Sequence, residues 1–135
     1  EDAPHRKQYI DDLKEMAAAL KKVQRKDGFW NVSLHDKKHF GGKETSGTAL
    51  FVYGIAYGIN NDLLDREAYL PVVTKAWNAM VSESVHENGF LGWLQSTGKE
   101  PKDGQPLSYD KMPDFEDYGL GCFLLAGSEV YRLEF

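Results

Sequence analysis

The sequence predicts an all-α protein built from helical hairpins arranged toward a ring, and three observations carry that prediction. Amphipathic segments alternate with segments that are apolar nearly all round. A Gly-Phe signal closes each amphipathic segment, as Asp27-Gly28-Phe29-Trp30 and again as Asn88-Gly89-Phe90-Leu91-Gly92-Trp93. Each signal is followed by a polar loop and then a helix rich in small residues. Repetition at this scale belongs to stacked helical hairpins, each of which has an apolar face it cannot hide alone.

The first helix is predicted over residues 6–26. Tyr9, Ile10, Leu13, Met16, Ala17, Leu20 and Val23 recur at helical spacing, and Lys14, Glu15, Lys21 and Lys22 form a wet face between them. Asp27-Gly28 is expected to stop it, because glycine takes the left-handed backbone state without steric cost. Residues 30–43 show no usable period and read as a loop, and Thr45 or Ser46 is the expected cap of the next helix.

The second helix, residues 47–60, carries no charge. Gly47, Ala49, Gly54, Ala56 and Gly58 alternate with Leu50, Phe51, Val52, Tyr53, Ile55 and Tyr57. A helix apolar all round is buried on all sides. Each interior glycine costs about 1 kcal/mol relative to alanine, so close approach of a neighbouring backbone or a ligand is expected at these positions.

Leu70, Val73, Ala76, Trp77, Met80, Val81 and Val85 restore one-sided spacing in a third helix, with Pro71 expected in its first turn. Asn88-Gly89 is expected to end it. Residues 94–117 form a long loop with Pro101, Pro106 and Pro113, and loops of that length are usually functional or disordered. The fourth helix, residues 118–133, repeats the small-residue character of the second through Gly119, Gly121, Cys122, Ala126 and Gly127. The order is outer, inner, outer, inner. A toroid of hairpins satisfies it, with the loops entering the inner helices gathered at one mouth.

Composition narrows the function classes. A length of 135 residues fits a single domain over 1–135, and 41% hydrophobic with 27% charged residues is the balance of a soluble globular chain. No apolar run approaches the roughly 20 residues of a membrane span. The net charge of −5, with basic residues dispersed among acids, offers no stripe for nucleic acid. Cys122 has no partner for an internal disulfide and reads as a small buried hydrophobe. Residues 1–5 lack the basic start and apolar stretch of a signal peptide, which leaves a cytoplasmic location, or a periplasmic one with the true beginning absent.

Two loops can carry chemistry. The first offers Trp30, His35, His39, Phe40 and Glu44-Thr45-Ser46-Gly47, where hydroxyls and free amides at a helix start suit a carboxylate or phosphate. The competing reading is a helix cap with no ligand. The second offers Trp93, Gln95, Ser96, Thr97, Tyr109, Asp110, Glu116, Asp117 and Tyr118, aromatic and polar groups able to stack on a sugar face and bond its hydroxyls. Trp30 and Trp93 can equally fold back over the preceding helix as plugs. His35, His39 and His86 lack metal-ligand spacing, so neither metal nor cofactor is expected. Glu116-Asp117 could supply paired carboxylates, but adjacent acids before a helix are more often capping and dipole partners.

Several separated motifs resemble one family. The runs Gln24-Arg25-Lys26-Asp27-Gly28-Phe29-Trp30 and Glu44-Thr45-Ser46-Gly47-Thr48-Ala49-Leu50-Phe51-Val52-Tyr53-Gly54, the pair Ala76-Trp77, and the stretch from Tyr118-Gly119 to Glu129-Val130 resemble, in order, the C-terminal part of unsaturated rhamnogalacturonyl hydrolases and the related unsaturated glucuronyl hydrolases. The resemblance implies an (α/α)6 barrel of twelve helices, of which this chain would supply about the last four. It implies an unusual hydrolysis, in which an aspartate protonates the double bond of a 4,5-unsaturated uronic acid, water adds, and the unstable product opens and releases the neighbouring sugar. A pair of carboxylates acting as in ordinary glycosidases is not the expected design.

No residue here matches that acid, so the expected catalytic set is empty. The resemblance carries over the pocket wall alone. With the loop residues already named, the expected substrate-binding set is Trp30, His39, Glu44, Thr45, Ser46, Trp93, Gln95, Thr97, Asp117 and Tyr118. The expected ligand is an oligosaccharide ending in an unsaturated uronic acid. The chain is thus read as a fragment or remnant of the barrel, completed by a missing N-terminal part or by self-association. A non-catalytic carbohydrate-binding module and a helical interaction domain are the alternatives.

Overall fold

The computed structural model describes residues 3–98, 100, 102–111 and 116–133, without the side chains of Glu116 and Asp117. It contains four α-helices, α1 (Arg6–Val23), α2 (Thr45–Asn60), α3 (Arg66–Glu83) and α4 (Glu116–Tyr131). A two-residue antiparallel ribbon, β1 (Trp30–Asn31) with β2 (Lys43–Glu44), lies between α1 and α2. Trp30 stands opposite Glu44, and Asn31 opposite Lys43. Among the described residues, no helix is long and apolar enough to cross a membrane.

The charge-free α2 is the centre of the packing. It lies most extensively against α4, then against α3, and less against α1. Ala49, Val52, Ile55, Ala56 and Ile59 of α2 share a core with Ala17 and Leu20 of α1, Val73, Ala76 and Met80 of α3, and Ala126 and Val130 of α4. Trp77 stacks on Phe123 at 4.8 Å between ring centroids, tying α3 to α4. Asn60 fastens the far ends of the two inner helices, donating to the Glu129 carboxylate at 2.7 Å and to its carbonyl at 2.9 Å.

Helix ends differ from the sequence reading for a physical reason. The first helix stops at Val23, three residues early, because Gln24 turns extended (φ −61°, ψ 132°). Gly28 terminates no helix. It sits at φ 99° in a tight turn where Gly28 donates to the Arg25 carbonyl at 3.1 Å and Arg25 to that of Phe29 at 2.9 Å. Gly89, at φ 83°, does the same between His86 and Phe90, after α3 has ended at Glu83. The repeated Gly-Phe signal therefore encodes a turn, and glycine is used there because side chains rarely tolerate that backbone state. Pro71 lies beyond the first turn of α3 and is exposed, so water can bond the carbonyl that its missing N–H leaves free.

The glycines of the inner helices fall into two groups. A Cβ on Gly58 would meet Leu64 at 2.6 Å, and one on Gly119 would meet Leu94 at 2.5 Å, so close packing explains both. Gly54 and Gly121 have nothing within 4 Å of that position. Gly54 lines a small gap against Leu13, Met16 and Ala17 of α1, whereas Gly121 lies among the exposed leucines of α4. Leu120, Leu124 and Leu125 of α4 are 43%, 61% and 47% exposed, which leaves α4 less covered than an inner helix is expected to be.

Candidate functional site

The two loops that enter α2 and α4 meet at the N-terminus of α2, and Glu44 is what joins them. As the N-cap of that helix, its carboxylate accepts from Ser46 N at 3.0 Å, Gly47 N at 2.5 Å and the Ser46 hydroxyl at 2.7 Å. A fourth bond comes from the backbone N–H of Gln95, at 3.3 Å. Glu44 is 7% exposed, and these donors compensate its burial. The expected cap, Thr45 or Ser46, is thus replaced by the residue before them, whose longer side chain spans two helix amides. An incoming anion finds those amides already occupied.

Thr45 is fully buried, and its hydroxyl and N–H are engaged within the fold. Its hydroxyl donates to the Gly92 carbonyl at 2.8 Å and shares a hydrogen bond with the Ser84 hydroxyl at 2.9 Å, while its N–H donates to the Trp93 carbonyl at 2.9 Å. Tyr118, in the first turn of α4, donates its hydroxyl to the Gln95 carbonyl, and the Gln95 amide donates to the Asp103 carbonyl at 3.0 Å. Burial pushes the Tyr118 phenol above its usual range; hydrogen bonding with Ser46 opposes this, and the Glu44 carboxylate and Cys122 add to it. The phenol is therefore a neutral donor at neutral pH. Cys122 is half-buried, and burial together with Glu44 raises its thiol as well.

Both tryptophans are plugs. The Trp30 indole is 1% exposed and donates to the Leu20 carbonyl at 2.9 Å, and the partly buried Trp93 donates to the Glu83 carbonyl at 3.0 Å. Each indole reaches back ten residues to a carbonyl in the last turn of the preceding helix, where no intrahelical partner is available. Trp93 also takes a positive φ of 58°, a state uncommon for a large side chain. Its three backbone and indole bonds, to Glu83, Ser108 and Thr45, hold it there.

An open recess of about 470 Å³ lies over this junction, lined by Ser46, Gly47 and Leu50 from α2 and by Gln95, Ser96 and Glu100 from the second loop, with Glu44 at its base. The Ser96 hydroxyl makes no hydrogen bond among the described residues, and Thr97 is exposed beside it. Glu100 pairs with Lys102 at 2.7 Å. The recess offers hydroxyls, an amide and one apolar wall, which suits binding a polyol; its two carboxylates are both engaged. Glu44, Thr45, Ser46, Trp93, Gln95 and Tyr118 are thus brought together, with Thr97 at the edge. Trp30 is sealed beneath α1. His39 is exposed and pairs with Asp36 at 2.9 Å on the first loop, outside the recess lining. The Asp117 side chain lies outside the described residues.

Described residues of the second loop beyond Thr97 take on a supporting role that the sequence does not indicate. Ser108 accepts from Trp93 N at 3.0 Å, Lys111 donates to the Gly104 carbonyl at 2.6 Å, and the Tyr109 ring stacks on His86 at 3.6 Å between centroids. The segment buttresses the strained Trp93 and the Gln95 wall of the recess. Tyr109 and His86 were legible as individual polar aromatics, but nothing in their spacing signals that they stack.

Comparison with known proteins places this arrangement. A model of Glycosyl Hydrolase Family 88 matches residues 1–134. An unsaturated 3S-rhamnoglycuronyl hydrolase of Formosa agariphila is 41% identical over 133 residues, which are 98% of this chain and 33% of that protein. A family 88 glycosyl hydrolase structure from Bacteroides vulgatus superposes with a TM-score of 0.88 at 37% identity, over 98% of this chain and 37% of that one. A possible member of the GH105 family from Salmonella enterica gives 0.79 at 28% identity, over the whole of this chain and 34% of that one. The chain thus spans about a third of the length of the relatives it matches. These neighbours are helical-barrel enzymes, and the two hairpins described here are part of that architecture.

Proposed function

The chain belongs to glycosyl hydrolase family 88, and from that premise we propose that it forms one wall of the sugar-binding mouth of an unsaturated glycuronyl hydrolase. The recess over Glu44, Ser46, Gln95 and Ser96 holds the unsaturated uronyl end of an oligosaccharide. Ser46, Ser96, Thr97 and the Gln95 amide meet the sugar hydroxyls, and Leu50 meets a carbon face. Glu44 and Tyr118 position this wall through the Gln95 backbone and do not exchange protons with substrate.

The observation that carries this reading is the joining of the two loops at one helix start, in a chain whose match to an unsaturated 3S-rhamnoglycuronyl hydrolase runs through both. The chemistry is hydration of the enol ether double bond. A proton goes to one alkene carbon, water adds to the resulting oxocarbenium carbon, and the hemiketal opens to a ketone and a hemiacetal, whose collapse to an aldehyde releases the neighbouring sugar. Of the recess carboxylates, Glu44 accepts four hydrogen bonds and Glu100 is ion-paired, so the proton donor is assigned to parts of the barrel outside these residues. The exposed leucines of α4, with Gly121 beside them, are where further helices of the ring pack.

The test combines calorimetry with the ultraviolet absorbance of the enol ether. The chain alone should bind an unsaturated rhamnoglycuronyl disaccharide and leave its absorbance unchanged. Rapid loss of absorbance would remove the assignment of the proton donor elsewhere, and absence of binding would remove the recess as a sugar site.

A further inference from the structure

The two loops share a cation. Lys43, the first residue of β2, holds its ammonium 5.5 Å from the centre of the Phe29 ring and 5.6 Å from that of the Trp93 ring. Both distances fall within the roughly 6 Å over which an aromatic face attracts a cation. Phe29 belongs to the turn after α1 and Trp93 to the segment after α3, so one side chain reaches both occurrences of the repeated Gly-Phe signal. The same ammonium donates to the carboxylate of Glu83 at the end of α3.

An ordinary surface ion pair does not account for this arrangement. Exposed pairs contribute little, and Lys43 could keep Glu83 as its partner while extending into water. Its side chain is instead 22% exposed, drawn in over two rings of which Phe29 is fully buried. A partly dehydrated ammonium needs compensation, which the Glu83 carboxylate and the two ring faces supply together.

The connections close on Trp93. Its indole donates to the Glu83 carbonyl at 3.0 Å, while the Glu83 carboxylate holds Lys43 and Lys43 holds the indole face. Trp93 takes its positive φ within this triangle, and its carbonyl accepts from Thr45 N at 2.9 Å. Two residues further on, Gln95 donates its N–H to Glu44, the neighbour of Lys43 on β2. Lys43 and Glu44 thus grip the second loop at points two residues apart, one through a ring face and one through a backbone amide. We infer that Lys43 is a positioning residue of the mouth: its charge holds the Trp93 ring and thereby sets the Gln95 and Ser96 wall of the recess, without contact with the sugar. This rests on the sugar-binding reading above and extends it to a residue outside the recess lining.

Calorimetry with an unsaturated rhamnoglycuronyl disaccharide, and magnetic resonance of the Trp93 indole N–H and the Gln95 amide, test it on the full chain. Lys43→Met keeps the aliphatic stem against the rings and removes the charge. It should melt cooperatively, move both resonances, and bind the sugar about fivefold more weakly, the equivalent of one cation–π contact. Lys43→Arg keeps a cation over the rings and should restore binding and both resonances toward the parent, a rescue that depends on charge. Lys14→Gln, on the wet face of α1, should match the parent throughout. Where Met is not tolerated by the fold, Lys43→Gln makes the same comparison. Neutral variants that leave the Trp93 and Gln95 resonances in place, or that bind as tightly as the parent, overturn the inference, as does an Arg variant no better than the neutral ones. Absence of sugar binding by the parent chain removes the sugar-binding reading instead, and the two resonances, read without sugar, still decide whether Lys43 positions Trp93 and Gln95.

Discussion

Glu44 accepts a hydrogen bond from the backbone N–H of Gln95 at 3.3 Å, a contact across 51 residues of sequence that pins the second loop to the start of α2. Three further bonds to the same carboxylate cap the helix. Removing the side chain leaves two helix amides and the Gln95 N–H without their acceptor. Glu44→Ala should therefore cost about 1–3 kcal/mol in urea denaturation, combining a lost cap with unsatisfied donors. Amide hydrogen exchange at Gln95 should quicken along with that at Ser46 and Gly47. Faster exchange confined to the helix start would show that the loop is held by other means.

The two indole caps differ in depth, and their variants should differ accordingly. Trp30 lies in the core against Phe51 with ring centroids 5.4 Å apart, so Trp30→Ala should cost about 3–5 kcal/mol and threaten folding. Trp93→Phe keeps a ring but loses the bond to Glu83, for about 1 kcal/mol. Thermal denaturation of both variants checks the order. A larger loss from Trp93→Phe would mean that its hold on the second loop outweighs core burial.

Gly58 and Gly54 make a paired test of the two kinds of glycine in α2. Gly58→Ala drives a Cβ to 2.6 Å from Leu64 and should destabilise by about 1–3 kcal/mol. Gly54→Ala meets nothing within 4 Å and should stabilise this chain by about 1 kcal/mol through helix propensity. Chemical denaturation of the two variants separates them. A destabilising Gly54→Ala would show that the gap against α1 is closed in solution.

Acid should loosen the first turn. Burial pushes the Asp27 carboxyl up, but the hydrogen bond and charge of Arg25, the Phe29 N–H and the charge of Lys43 outweigh it and hold the group below the usual carboxylate range. A carboxyl depressed in the folded state contributes stability above its unfolded value, near pH 4, and that contribution disappears as pH falls through the lower folded value. Asp27→Asn should thus be less stable than the parent at neutral pH, and the gap should narrow below about pH 4. A gap independent of pH would assign the loss to packing.

Much of the architecture was legible because helical periodicity is a strong signal. The uncharged run through Ala49, Val52, Ile55 and Ala56 announced a buried helix, and one duly lies at the centre of the packing. Motif order carried the family. The site was less legible. Glutamate is a less usual cap than Thr45 or Ser46, so the role of Glu44 depended on seeing its carboxylate reach two amides. Gly28 and Gly89 carried a real repeat, but one of turns and not of helix ends, because a short extended step at Gln24 carries no compositional mark. The basic residues looked dispersed along the chain, and only the fold brings Lys43 over the Phe29 and Trp93 rings.

The most direct test of the mouth is a map of backbone amide shifts as the chain is titrated with an unsaturated rhamnoglycuronyl disaccharide. Shifts concentrated at Ser46, Gly47, Gln95 and Ser96, with Asn60 to Arg66 at the opposite end of α2 unmoved, are the predicted result. Shifts centred on that opposite end, or none at saturating sugar, would contradict the account.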